Sequence, residues 1–210
     1  MKQKATLLVT IFVIVSFSAC KKSQTTEPEP YGEIIPLNIG NSWVTEHTMF
    51  DSSGNVTSTF IDTSMIARDT IIDNERWFAF FTKYFMNNKS YYMNKTDGYY
   101  NFYQDISEQQ GKIYYIWKYP AEIKDSFSVS GSDYTVVVSS NDQIRVKAGV
   151  FNCYQYRWQY TRPPDGRYVG HQQKWLCPNV GEIKSQQYSI SISGKEYLSF
   201  SSELISYKLY

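Results

Sequence analysis

Cys20, Cys153 and Cys177 are the only thiols of this sequence, and His47 and His171 its only imidazoles. Nucleophilic catalysis needs a nucleophile, a base and a group that orients the base. The chain has no G-x-S-x-G elbow and no activated-cysteine signature, so a hydrolase would need a dispersed site around His47 or His171. A lone histidine on a strand is expected to be structural or exposed instead. Metal chemistry has no better footing, with no C-x-x-C, H-x-H or H-E-x-x-H and no acidic calcium loop. Asp62, Asp69 and Asp73 cluster in sequence, where they are expected to mark strand edges and turns. No glycine loop is built to cradle phosphate. The expectation is therefore a non-enzymatic protein with no cofactor and no metal, and the dispersed hydrolase is the weakest alternative.

Cys153 and Cys177 are the more informative pair. They lie in Val146–Lys184, which reads as a β-hairpin entered through Gly149, turned at Pro163-Pro164-Asp165-Gly166 and left through Gly181. A loop centred on Asp165 sets Cys153 opposite Cys177, where a cross-strand disulfide could close. A loop centred between Pro164 and Asp165 sets Tyr154 opposite Trp175 and turns the cysteines to opposite faces. A one-residue slip separates the two outcomes, and the sequence leaves both open. On the first arm Tyr154, Tyr156, Trp158 and Tyr160 alternate with Gln155, Arg157 and Gln159, so the rings form one core-facing stripe. The hairpin thus reads as the architectural spine of a sheet.

Tyrosines carry the remaining binding chemistry. In Tyr91-Tyr92, Tyr99-Tyr100 and Tyr114-Tyr115, neighbouring rings on a strand point to opposite faces. Exposed members of these pairs, with Trp117, could stack on a glycan or anchor a partner protein. Candidate ligand-binding residues are therefore Tyr91, Tyr92, Tyr99, Tyr100, Tyr114, Tyr115 and Trp117.

These residues need strands to position them, and the composition supplies strands. Aromatics make up 17% of the 210 residues, with 19 Tyr, 12 Phe and 5 Trp, a bias suited to a pleated sheet. Turn signals recur at Asp51–Asn55, Asp73–Glu75, Asn87–Lys89, Thr96–Gly98, near Gly111, Gly131 and Ser193–Lys195, with strands between them. Arg76 to Met86 is apolar on both faces. Tyr134–Ser139 and Gln143–Lys147 read as separate strands. No helical period stands out. The expected fold is all-β, a single antiparallel meander curved into a half-barrel or barrel, occupying residues 32–210 as one domain. Net charge is +1, and without Lys2 and Lys4 the remainder carries 19 basic and 20 acidic residues. Such a balance gives no footprint for nucleic acid.

The first twenty residues are of another kind. Lys2 and Lys4 precede a 13-residue apolar run, Ala5 to Phe17, too short to span a bilayer comfortably. Phe17-Ser18-Ala19-Cys20 resembles a bacterial lipoprotein processing box. That resemblance implies a signal peptide over 1–19, cleavage before Cys20, and acylation of the Cys20 sulfur and amine. Two or more chains anchor a protein stably where one is marginal. Residues 20–31 then form the lipidated cysteine and a polar tether containing Pro28 and Pro30.

Three short motifs extend the resemblance across most of 35–210: Gly40-Asn41-Ser42-Trp43, the Ala148–Tyr156 stretch A-G-V-F-N-C-Y-Q-Y, and the Pro178–Lys184 stretch P-N-V-G-E-I-K. They resemble a loose group of uncharacterised Bacteroidota-type lipoproteins. The resemblance implies a curved antiparallel sheet in a Gram-negative envelope, akin to the half-barrels that carry lipoproteins or lipids. It implies no catalytic residues. The expected function is an outer-membrane lipoprotein whose β-domain binds an apolar or amphipathic ligand or an envelope protein; a glycan-binding surface module is the alternative. The absence of an acidic run after Cys20 favours the periplasmic face.

Overall fold

The computed structural model describes residues 32–82, 90–103, 111–130, 133–162 and 167–210. The signal peptide, Cys20, the tether, residues 83–86 of the expected third strand and the Pro163–Gly166 turn lie outside the described residues. Among the described residues there are twelve strands and no helix. They are β1 (Ser42–Phe50), β2 (Val56–Ile72), β3 (Glu75–Thr82), β4 (Ser90–Lys95), β5 (Gly98–Tyr103) and β6 (Lys112–Lys118) in the first half. The second half holds β7 (Ser126–Ser130), β8 (Asp133–Val146), β9 (Gly149–Arg162), β10 (Arg167–Cys177), β11 (Gly181–Ile190) and β12 (Glu196–Lys208).

All pairings are antiparallel and all but one join consecutive strands. The exception closes the sheet: β1 pairs with β12, from Ser42 opposite Lys208 to Met49 opposite Phe200. The order runs β6-β5-β4-β3-β2-β1-β12-β11-β10-β9-β8-β7, so the free edges belong to the middle of the chain. The result is a barrel with one unsealed seam, between β6 and β7. Side chains cross that seam in place of a ladder. Tyr156 donates its hydroxyl to the Lys118 carbonyl at 2.7 Å, and the Tyr115 and Phe127 rings lie 5.2 Å apart. Lys118 pairs with Asp125 at 2.8 Å.

Residues 32–41 cross one end of the barrel and seal it. Ile34 and Leu37 are buried there. The Asn179 amide donates to the Glu33 carbonyl at 2.7 Å, and the Asn94 side chain donates to the Ile35 carbonyl at 2.9 Å. The Gly40-Asn41-Ser42-Trp43 motif fixes this plug to the sheet. Gly40 adopts a positive φ of 96°, open to glycine at little cost, and its amide bonds the Ile66 carbonyl. Asn41 is fully buried; its amide group donates to the Pro36 carbonyl and its oxygen accepts the Tyr210 amide. Trp43 donates its indole N–H to the Val180 carbonyl at 2.6 Å.

Two expectations need correction. Tyr134–Ser139 and Gln143–Lys147 belong to one strand, β8, which passes through Asn141-Asp142 by shifting register after Val137 and again after Ser139. Polar residues that resemble a turn are here the irregular part of a long, bent strand. The hairpin register is also mixed. Near the turn Arg162 pairs with Arg167, the alignment that would oppose Tyr154 and Trp175. A bulge between Tyr168 and Gly170 then slips the ladder by one, and Tyr154 meets Leu176.

Candidate functional site

The strands enclose a cavity of about 430 Å³, within the range of about 300–1,000 Å³ that holds small ligands. Its walls follow from strand alternation. Trp43, Thr45 and His47 project inward from β1, as do Asp62 and Ser64 from β2. The far strands β3 to β6 supply Phe80, Tyr92, Tyr99 and Trp117. These rings with Trp43 make a continuous aromatic wall. Trp43 stacks on Phe80 at 5.5 Å, Phe80 meets Tyr92 edge-on at 5.1 Å, and Tyr92 stacks on Tyr99 at 5.3 Å.

The opposite wall is polar. Lys174 of β10 donates to Glu182 of β11 at 2.6 Å. Ser202 of β12 donates to Glu182 at 3.4 Å and shares a hydrogen bond with the buried Ser185 at 2.8 Å. Asp62 is buried, and its Oδ1 accepts the Thr63 amide at 2.8 Å. His47 lies between the Phe60 and Phe200 rings, 4.8 and 5.5 Å away. Burial lowers its pKa, outweighing Asp62 and Glu182, whose charges act to raise it. His47 Nδ1 and Trp158 Nε1 are buried, without a hydrogen-bond partner among the described residues. The Lys174 ammonium sits 5.8 Å from the Trp117 centroid and so links the two walls.

Two bulges enrich the lining. Opposite β5, β6 shifts register between Tyr99 and Tyr100, so both Ile116 and Trp117 reach the cavity. Opposite β10, β11 shifts between Trp175 and Leu176, and Glu182 and Ile183 both line it. An extra residue in one strand re-aims side chains in this way.

The structure divides the candidate binding residues between two faces. Tyr92, Tyr99 and Trp117 line the lumen. Tyr100 and Tyr115 lie on another side, their rings 4.9 Å apart and both hydroxyls bonded to Asp97. The Tyr100 phenol is pushed up to about 12, first by desolvation and then by its bond to Asp97. Tyr91 packs against Phe102. Tyr99 is buried, and Tyr91, Tyr92, Tyr100, Tyr114 and Tyr115 are half-buried.

The hairpin is more than a spine. Trp158, Gln172, Lys174, Glu182 and Ile183, all from Val146–Lys184, line the cavity. Asp62 corrects a second expectation. It stands in mid-strand opposite Thr45 and faces the lumen, whereas Asp69 pairs with Arg76 at the surface and Asp73 does sit in a turn. The signal for Asp62 was parity: it is two residues from Ser64 and four from Ile66, the buried face of β2. Lys174 and Glu182 had no such signal, because the bulge between their strands breaks the alternation.

His171 lies apart from the cavity. It is 3% exposed, stacks on Tyr188 at 4.5 Å, and bonds Glu196 at 3.1 Å and Gln173 at 3.2 Å through its two nitrogens. Cys153 and Cys177 are free thiols, Cys153 buried and Cys177 half-buried, and the Cys177 thiol donates to the Pro178 carbonyl at 3.6 Å. Among the described residues no three His, Cys, Asp or Glu side chains gather to hold a metal.

No family model matches the chain, and no curated protein does. Two solved structures resemble it. One is described as a "putative lipoprotein" of Parabacteroides distasonis ATCC 8503, with 14% identity over 84% of this chain and 99% of the other, at a TM-score of 0.47. The second, from Bacteroides fragilis NCTC 9343, is described as a "putative exported protein" with a YmcC-like fold. It shares 14% identity over 85% of this chain and 100% of its own, at a TM-score of 0.46.

Proposed function

We propose that this chain is a non-enzymatic lipoprotein of the bacterial envelope whose lumen holds an amphipathic ligand. One observation carries the reading: the cavity has an aromatic wall built by β3 to β6 with Trp43, and a polar wall built by β1, β2 and β10 to β12. A lining divided in this way suits a molecule with one apolar and one polar part. Acylation at Cys20 would tie the protein to the outer membrane, with the periplasmic face as the working location.

Native mass spectrometry of the protein purified from its host tests the ligand. A bound mass is expected, and it should be lost in Thr45→Trp, which fills the lumen, provided the circular dichroism spectrum is unchanged. A lumen that never carries a small molecule would sink the reading. A co-purifying protein with an unfilled lumen would favour envelope docking instead. In the same preparation, intact mass shows the acyl chains, and Cys20→Ser should remove them and release the protein from membranes.

A further inference from the structure

The charges of the lumen and its rings favour the same kind of guest. Glu182, Ser202, His47, Thr45 and Asp62 all line the cavity, and they follow one another across the adjacent strands β11, β12, β1 and β2. Ser202 bonds Glu182 at 3.4 Å and stands opposite His47, and Thr45 stands opposite Asp62. This stretch carries two carboxylates. The Glu182 side chain is 35% exposed and can be touched, whereas Asp62 is buried and acts through its charge. Lys174 is the one permanent cation among the described lining residues, and it is already bound to Glu182 at 2.6 Å. Burial keeps the His47 ring uncharged at neutral pH.

The facing wall is made of rings, and a ring offers a negative face to a cation. Lys174 shows this in place, since its ammonium lies 5.8 Å from the Trp117 centroid while it pairs with Glu182. A carboxylate head would meet like charge on one wall and negative ring faces on the other. An uncharged head would gain from neither.

We propose that the lumen takes a single-chain amphiphile with an ammonium head, and rejects the same chain ending in a carboxylate. The proposal rests on the reading of the lumen as a ligand site. The chain lies along the aromatic wall from Trp43 to Tyr99, and the head lies between Trp117 and the carboxylates of Glu182 and Asp62. A methylated ammonium suits this place better than a bare one, because its methyl groups pack on rings and it has no N–H to leave unpaired.

The test is isothermal titration calorimetry of the folded protein at neutral pH. The probes are decyltrimethylammonium, 1-monodecanoylglycerol and decanoate, each below its micelle concentration. The ammonium is expected to bind at least about tenfold more tightly than either of the others, and to lose that binding in Thr45→Trp. Glu182→Gln and Asp62→Asn should each weaken the ammonium several-fold and narrow its lead over decanoate. Lys174→Met, which removes the competing ammonium, should strengthen it. If decanoate or the glyceride binds as tightly as the ammonium and Thr45→Trp abolishes that binding, the head-group assignment is overturned and the lumen remains a ligand site. Ammonium affinity unchanged in both carboxylate variants would overturn the assignment as well. If no probe binds in a way that Thr45→Trp abolishes, the ligand-site reading falls and this inference with it.

Discussion

Cys153 on β9 and Cys177 on β10 lie one position beyond the Tyr154–Leu176 pair, both as free thiols. The neighbouring sulfur and burial raise the Cys153 thiol, while its interaction with Cys153 lowers Cys177. Cys177 is also the more exposed of the two. It is therefore the sulfur that an oxidant or a thiol reagent reaches first.

The pair is expected to close to a disulfide in an oxidising compartment. Protein isolated from the periplasm without reductant should be two hydrogens lighter than the reduced chain by mass spectrometry. Reduction should lower its stability by about 2–4 kcal/mol. Full alkylation of both cysteines without prior reduction would count against the staple.

The slip that brings the cysteines together depends on Gly170. Its φ is 143°, and a Cβ there would lie 2.1 Å from the Tyr188 carbonyl oxygen. Backbone cannot move aside as a flexible side chain can, so Gly170→Ala should cost about 1–3 kcal/mol. If the bulge is lost, the ladder reverts to the other alignment and the cysteines separate. The variant should then show a lower urea midpoint and slower disulfide formation. An unchanged midpoint would mean that the bulge is not anchored at this glycine.

Both alignments of the hairpin were legible from the turn, but their coexistence was not. Arg162–Arg167 obeys one and Tyr154–Leu176 the other, and the change falls just before Gly170, where β10 approaches the Tyr188 backbone of β11 closely. The strands were legible wherever burial alternates, as in β1 and β2, because one buried face imposes a period of two. Which strands close the barrel was not, since pairing of Trp43 with Tyr207 spans nearly the whole described chain and leaves no local pattern. The site was partly legible for the same reason. Tyr92, Tyr99 and Trp117 were expected to bind from their ring chemistry. Lys174 and Glu182 required knowledge of which strands enclose the lumen.

Asn41 ties the plug to the last strand, so its loss should be felt at both. The side chain donates to the Pro36 carbonyl at 2.9 Å and accepts the Tyr210 amide at 2.8 Å, within a fully buried site. Asn41→Ala leaves both groups unpaired and should destabilise the protein by about 2–4 kcal/mol. Limited proteolysis should cut residues 32–40 faster in the variant than in the parent. Equal cutting rates and equal melting temperatures would show that the plug is held by Ile34 and Leu37 alone.

The histidines set a pH dependence whose sign follows from burial. Both His47 and His171 have pKa values below the ordinary 6.5, with desolvation the leading cause at each. Asp62 and Glu182 act to raise His47; Arg157 lowers His171 further while Glu196 acts to raise it. At neutral pH both rings are uncharged in the folded and unfolded chains alike, and no cost arises. As pH falls below about 6.5, the unfolded chain takes up protons that the folded chain refuses, so stability declines until the folded values are reached. Asp51 and Asp125 are held low by hydrogen bonds from Asn55 and Lys118, so their contribution is lost only at more acidic pH. Urea midpoints taken at about pH 7.5, 6.5 and 5.5 should therefore fall in the parent. His47→Gln and His171→Gln should each flatten the slope, and the double variant should flatten it most. A parent with a constant midpoint over that range, or a double variant as steep as the parent, would show that the buried rings do not control it.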